Sequence, residues 1–230
     1  MKRLKLNLLL FLVSFLYLTQ SQGICGKKEI ERIENCINVV TEILQGEEGK
    51  AARYLLAHSK GIVIFPGIKK AAFIIGAKRG KGVIVLRKNG RWLPPYFVTI
   101  YGGSFGFQAG AKSSDVVLII MTNKAVNSFK SNKLKLGIDL AITAGEIGKE
   151  TGISSEDLYK TDIYFYAKEK GIFVGINLAG SVITHDEDSN LRFYKKEVTI
   201  EDILNGKLNN KEIPKEAKEL IKVLKKFSRI

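Results

Sequence analysis

Short apolar segments separated by turn residues dominate the middle of this chain. Asn89-Gly90 stands between two of them, and this dipeptide favours the type I′ turn of a β-hairpin. Segments this short, joined by glycine, proline or asparagine, are typical of antiparallel strands. The predicted strands are Ile62–Phe65, Ala71–Ala77, Val83–Leu86, Phe97–Tyr101, Gly106–Ala111, Val116–Met121, Ile163–Ala167, Ile172–Leu178 and Val182–Thr184.

Helical periodicity appears mainly at the two ends of the chain. Glu29–Gln45 carries apolar residues at helical spacing, and Pro214–Ile230 is a basic amphipathic segment. Between them, Gly102–Gly110 places glycine and other small residues on one strand face, which allows tight curvature. We therefore predict an α+β fold, with an antiparallel, glycine-rich curved sheet or barrel-like core flanked by N- and C-terminal helices.

The first residues have the three parts of a secretory signal peptide. Lys2, Arg3 and Lys5 precede the apolar run Leu6–Leu18, and a small polar stretch ends at Gly23. The run is too short to cross about 30 Å of hydrocarbon as a helix. We predict a signal peptide over residues 1–23 and a single exported domain over 24–230, periplasmic or otherwise outside the cytoplasm. An uncleaved anchor is the alternative.

Export changes the interpretation of the high positive charge. The chain has 37 Lys and Arg against 23 Asp and Glu, a net charge of +14, and three of these charges belong to the predicted signal peptide. An exported protein does not meet intracellular DNA or RNA, so nucleic acid is not expected as a partner. A membrane surface carrying anionic phospholipid is the better match for such a charge.

Two cysteines, Cys25 and Cys36, follow the predicted cleavage site. In an oxidising compartment, a pair favours a disulfide. On one continuous helix their Cα atoms would be about 16 Å apart, so a bond requires the preceding chain to fold back. The alternatives are lipidation of Cys25 and two free thiols.

The sequence lacks the motifs of common enzymes and metal sites. His58 and His185 have no cysteine or second histidine nearby, and no phosphate-binding loop or nucleophile elbow is present. We expect no enzymatic activity, no catalytic residues, no cofactor and no metal.

Basic residues concentrate in three segments that the sequence assigns to turns. Lys and Arg at loop tips gather anionic headgroups, and an adjacent tryptophan is typical of a membrane interface. Alternation of hairpins would bring the first and third segments to the same end of the sheet. Solvated turns and core aromatics are the alternative. The predicted lipid-binding residues are Lys69, Lys70, Lys78, Arg79, Lys81, Arg87, Lys88, Arg91 and Trp92.

A longer set of motifs, in a fixed order, carries a family resemblance over about residues 30–200. The set comprises Ala57–Pro66, Gly76, Gly82, Trp92 with Pro94 and Pro95, Gly102–Gly110, Asp115–Leu118, Leu136–Asp139, Tyr164, Gly171–Gly175, Gly180, Asn190 and Tyr194. This order resembles the SYLF domain, the Ysc84-type lipid- and actin-binding family. Residues 201–230 add C-terminal helices.

The resemblance implies binding of phosphoinositides or other anionic lipids, and binding of actin filaments in eukaryotic members. Bacterial relatives are often exported. We therefore expect an exported, non-enzymatic, peripheral lipid-binding protein, with the membrane surface as its partner and actin not expected. A cell-envelope protein–protein interaction module is one alternative. Another is a carrier of an apolar ligand in a cavity lined by Phe105 or Phe107. The lipid species and the oligomeric state are left open.

Overall fold

The computed structural model describes residues 26–72, 75–105, 110–147 and 157–229. The predicted signal peptide, Cys25 and the glycine-rich stretch 106–109 lie outside these residues. A short 3-10 helix spans Asp157–Tyr159. The α-helices are α1 Lys27–Leu44, α2 Lys50–His58, α3 Asn123–Ser128, α4 Glu187–Tyr194, α5 Ile200–Leu204 and α6 Lys215–Phe227.

The strands form one mixed, mostly antiparallel curved sheet, as predicted. They are β1 Gly61–Ala72, β2 Ile75–Lys88, β3 Arg91–Trp92, β4 Tyr96–Phe105, β5 Gly110–Ile120, β6 Lys133–Lys135, β7 Ile142–Ala144, β8 Ile163–Glu169, β9 Ile172–Phe173 and β10 Val182–His185. Their order is β6-β10-β4-β2-β1-β5-β8-β7, with β3 paired to β2 and β9 to β8. Only the pairing of β7 with β8 is parallel among the described strands.

The longest hairpin of the sheet differs from its prediction. Ala71–Ala77 was expected to be one strand, yet the chain reverses within it, because Ala72 of β1 pairs with Gly76 of β2. The segment Lys78–Lys81 was expected to be a turn, yet it lies inside β2. Both basic segments that the sequence assigned to the first two turns are therefore facing positions on neighbouring strands.

Glycine explains why a strand resembled a turn. Gly80 and Gly82 lie inside β2, where a side chain would have no room. A Cβ atom at Gly82 would approach the Ile64 carbonyl oxygen to 2.1 Å. These glycines allow β1 and β2 to approach closely where the sheet curves, and they do not mark a chain reversal.

The hairpin at Asn89-Gly90 is confirmed. Both residues have positive φ, 50° and 76°, which is the backbone of a type I′ turn. The turn joins Lys88 of β2 to Arg91 of β3.

The two terminal helices pack together on one side of the sheet. The apolar face of α1 buries Ile33, Val40 and Leu44, and α6 buries Leu220 and Leu224 beside it. The lysines of α6 remain exposed on its other side. None of the helices in the described ranges has the length and apolar character that a membrane crossing requires.

Candidate anion-binding surfaces

The register of β1 and β2 sorts the predicted basic residues into two sets. Lys69 faces Arg79, and Lys70 faces Lys78. Directly paired residues project to the same face of a sheet, and successive residues project to opposite faces. One pair therefore lies on the side that carries α1, and the other pair lies on the opposite side.

The first set forms what we call the outer basic groove, defined by Lys28, Arg32, Lys69, Arg79 and Lys81. It encloses about 400 Å³ between the start of α1 and the β1–β2 ribbon. Five cations line it against one carboxylate, Glu31.

Aromatic and polar contacts hold the groove in shape. The Arg79 guanidinium lies over the face of Tyr101, 5.3 Å from the ring centroid, in a cation–π contact. Tyr101 is itself partly exposed beside it.

Asp186 anchors two of the groove's five cations. Its Oδ2 accepts hydrogen bonds from Arg32 Nη1 and Lys81 Nζ, each at 3.1 Å. Burial raises the pKa of Asp186, but hydrogen bonds from Lys81 and Ser189 and the two nearby cations outweigh it and lower the pKa. Lys28, Lys69 and Arg79 have no such partner among the described residues, so their charges are available to a ligand.

The second set forms what we call the inner lysine pocket, defined by Lys70, Lys78 and Lys112. Lys112 joins the set because it faces Lys70 across β5 and β1. The pocket has a volume of about 620 Å³, and residues 175–180 cover part of it. Lys78 is 8% exposed, and its Nζ donates to the Asn177 carbonyl oxygen at 2.6 Å.

The polar character of this pocket bears on the apolar-carrier alternative. Three lysines line it, which does not favour an apolar ligand. Phe107 and the side chain of Phe105, which that alternative invoked, lie outside the part of the chain described in detail.

The third predicted segment, Arg87, Lys88, Arg91 and Trp92, lies apart from the other two, and we call it the hairpin cluster. Arg87 is eight residues from Arg79 on β2, a distance of about 26 Å along the strand. The expectation that the first and third segments share one end of the sheet is therefore wrong. The first and second segments adjoin instead, because they face each other in one hairpin.

Trp92 packs inside the protein. It is 8% exposed, and its Nε1 donates to Ser228 Oγ at 3.0 Å, which ties β3 to the end of α6. Arg87 donates to the Ala57 carbonyl oxygen, and Lys88 donates to that of Leu204. These side chains hold helices in place. Because Trp92 is buried, the structure does not favour the membrane-interface role predicted for it.

Sequence reasoning missed three cations that complete the two main surfaces. Lys28 and Arg32 come from α1, and Lys112 comes from β5. Lys112 was detectable only through the strand register, because it is some forty residues from Lys70 in the chain. The spacing of Lys28 and Arg32 by four residues places both on one helix face, which was a usable signal.

Cys36 is a fully buried cysteine in α1. Its Sγ lies 3.8 Å from the Ile64 carbonyl oxygen, and burial raises the pKa of the thiol. Its proposed partner Cys25 lies outside the described residues, so the disulfide stays a prediction. Across the described ranges, no three His, Cys, Asp or Glu side chains converge as a metal site would require.

Comparison with known proteins identifies the family of the chain. Residues 101–227 match the profile of Ysc84, described as "Las17-binding protein actin regulator". The chain belongs to the Ysc84 family. This confirms the resemblance seen in the sequence.

Curated relatives agree with the profile. SH3 domain-containing YSC84-like protein 1 of Bos taurus is 30% identical over 206 residues, which cover 88% of this chain and 59% of that protein. Protein YSC84 of Saccharomyces cerevisiae is 31% identical over 175 residues, 74% of this chain and 36% of that protein. LAS seventeen-binding protein 3, also from yeast, is 33% identical over 158 residues, 67% and 34% respectively. The chain thus spans less than two thirds of the length of each of these three relatives.

These names correct the partner expected from the sequence. The family is described by actin regulation and by a protein partner, Las17, and a yeast relative is named for the same binding. The expectation of a membrane surface alone, with actin excluded, is therefore wrong. It rested on the predicted signal peptide.

Proposed function

We propose that this Ysc84-family domain binds the surface of anionic membranes peripherally through the outer basic groove. The observation that carries the proposal is the cross-strand pair of Lys69 and Arg79, two exposed cations that have no anionic partner among the described residues. The ligands are phospholipid phosphates, including headgroups of the phosphoinositide type. The role is binding and not catalysis, and the N-terminal signal would deliver the protein outside the cytoplasm.

Placing like charges opposite each other in a sheet is unfavourable, which supports a functional reason for the arrangement. Such pairs destabilise an antiparallel ladder by a few tenths of a kcal/mol or more. An anionic headgroup between Lys69 and Arg79 removes that repulsion. Each cation near an anionic surface contributes about 1 kcal/mol to binding.

A rigid groove suits this task because its geometry needs little reorganisation on binding. Lys69 and Arg79 stand on paired strands, and Lys81 and Arg32 are fixed by Asp186. Lys28, in the first turn of α1, closes the groove from the helix side. Ordering costs are therefore confined to a few long side chains.

Vesicle co-sedimentation tests this proposal. The full chain is incubated with vesicles of phosphatidylcholine alone and with vesicles that also contain phosphatidylserine or a phosphoinositide, over a range of salt concentrations. We expect binding only to the anionic vesicles, with weakening as salt rises, because exposed charges are screened. Equal binding to neutral vesicles, or none to any vesicle, contradicts the proposal.

A second candidate function is binding to a protein of the actin-regulatory machinery, which the description of the family and the names of its relatives favour. Pelleting of the full chain with actin filaments tests one form of this candidate, direct binding to the filament. A bound fraction that saturates with filament concentration supports this candidate. A chain that stays in the supernatant at every filament concentration contradicts direct filament binding.

A further inference from the structure

We propose that the inner lysine pocket is a separate binding site for a phosphate monoester group. It shares no side chain with the outer basic groove and opens on the opposite face of the β1–β2 ribbon. Its existence therefore does not depend on the membrane-binding proposal.

The sheet builds the pocket from one row of facing residues. Lys112 faces Lys70, and Lys70 faces Lys78, so three lysines occupy adjacent strands at the same level. The next position of the row, beyond Lys78, is Gly102. A Cβ atom there would lie 2.3 Å from Lys78 Cε, so glycine leaves space for the lysine side chain.

A chain segment covers the row and gives the site depth. Residues 175–180 cross the pocket, and Asn177 holds this segment through its own Oδ1, which accepts from the Ala179 N–H at 2.9 Å. The volume of about 620 Å³ lies within the range of small-molecule sites and exceeds what one phosphate needs. The ligand is therefore a phosphate ester with an organic part of modest size.

The pocket carries an excess of positive charge. Among the described residues, Lys70, Lys78 and Lys112 have no carboxylate within ion-pair distance. Glu169 lines the same pocket, but its Oε1 accepts a hydrogen bond from Ser114 Oγ at 2.7 Å. Three cations against one acid leave an excess of positive charge that a dianion matches.

The lack of an anionic partner among the described residues is most costly for Lys78, because its ammonium group is buried. Burying an ammonium group without an anion is costly, and among the described residues Lys78 Nζ donates its hydrogen bond to a carbonyl oxygen, that of Asn177. Burial and the neighbouring charge of Lys70 both lower the pKa of Lys78, as expected for an ammonium that lacks an anion. A bound phosphate would supply that anion and would accept hydrogen bonds from all three lysines.

Calorimetry with a soluble phosphate monoester tests the site. The full chain is titrated with glycerol 3-phosphate, and the variants Lys70→Gln and Lys112→Gln are compared with it. Both residues are exposed at the pocket rim, so folding should be retained, and thermal unfolding checks this. Each substitution should weaken binding about tenfold, because a charge-assisted hydrogen bond is lost. The matched control Lys69→Gln/Arg79→Gln alters the other face and should bind glycerol 3-phosphate as the wild type does.

Vesicles containing phosphatidic acid carry the same phosphate group on a lipid. They show whether the ligand of the pocket is a soluble phosphate ester or a lipid headgroup. Because the outer basic groove also attracts anionic vesicles, the vesicles are tested with Lys69→Gln/Arg79→Gln as the parent protein. If adding Lys70→Gln or Lys112→Gln to this parent weakens binding of glycerol 3-phosphate and leaves vesicle binding unchanged, the ligand is soluble. If it weakens both, the ligand is a lipid headgroup, and the site stands in either case. The proposal is overturned if the wild type gives no binding heat with glycerol 3-phosphate at millimolar concentration. It is equally overturned if Lys69→Gln/Arg79→Gln abolishes that binding while the two pocket variants retain it.

Discussion

Lys69 of β1 lies directly opposite Arg79 of β2, so two like charges share one cross-strand position on the side of the sheet that carries α1. No carboxylate among the described residues pairs with either of them. Because like charges in facing positions weaken a sheet, the pair is a local cost in stability. We infer that the protein tolerates this loss of stability because the two cations bind anions.

Reversing one of the two charges should therefore separate stability from function. Lys69→Glu places an acid opposite Arg79, and we expect the free energy of unfolding to rise by about 0.5 kcal/mol. Binding to anionic vesicles should fall at the same time, because a cation is replaced by an anion. Urea denaturation and vesicle co-sedimentation measure the two effects. The control is Lys218→Glu, the same charge change on exposed α6. A loss of stability in Lys69→Glu would oppose this interpretation.

The carboxylate of Asp186 should contribute a pH-dependent part of the stability. Its pKa is lower in the folded protein than in the unfolded chain, so its contribution is present above the unfolded pKa of about 3.9. That contribution is lost as the pH falls through the folded value. Asp186→Asn should lower the free energy of unfolding at pH 7 by about 3 kcal/mol, because it leaves Arg32 buried without its anion.

Asp186→Asn should also make the free energy of unfolding depend less on pH. An asparagine keeps the oxygen that caps α4 through the Ser189 N–H, so the substitution removes mainly the charge. Between pH 6 and pH 3, the free energy of unfolding measured by denaturation should decline less in Asp186→Asn than in the wild type. Asp188→Asn, at an exposed position of the same helix, serves as the control. An unchanged slope in Asp186→Asn would show that Asp186 is not the group responsible.

The close approach of β1 and β2 gives a third prediction. Gly82→Ala would place a Cβ atom 2.1 Å from the Ile64 carbonyl oxygen, so the strands must separate. We expect a loss of about 2 kcal/mol or more in the free energy of unfolding. Gly103→Ala on β4 is the matched control, because a Cβ atom there meets nothing within 4 Å. Similar unfolding midpoints for the two variants in urea would contradict the packing described here.

Trp92 is the single tryptophan of the chain and reports whether the hairpin cluster enters a membrane. Because it is buried and bonded to Ser228, its emission maximum should change little when anionic vesicles bind the protein. A clear blue shift with vesicles would show that Trp92 inserts into the membrane, and it would support the membrane-interface role predicted for this residue. Trp92→Phe should mainly loosen α6, by loss of the Ser228 hydrogen bond, at a cost of about 1 kcal/mol.

Local sequence signals predicted the elements of this fold better than their arrangement. The Asn89-Gly90 turn was readable because both residues favour positive φ, and α1 was readable from its apolar spacing. The Lys78–Lys81 segment was misread, because glycine required for close packing of strands has the same appearance as glycine required for a turn.

The candidate sites depend on pairing between distant segments, which local patterns do not encode. Six of the nine predicted basic or aromatic residues are exposed cations, but their grouping follows from strand register. One residue of offset between β1 and β2 would exchange Lys69 and Lys70 between the two surfaces. Lys112 could be assigned to the inner lysine pocket only once β5 was paired with β1.

The most direct test of the central claim compares two double variants that remove equal charge from different surfaces. Lys69→Gln/Arg79→Gln alters the outer basic groove, and Lys88→Gln/Arg91→Gln alters the hairpin cluster at the far end of β2. Affinity for phosphatidylserine vesicles should fall about tenfold or more in the first variant, since two near-surface cations are lost, and much less in the second. An equal loss in both variants, or a greater loss in the second, would contradict the assignment of membrane binding to the outer basic groove.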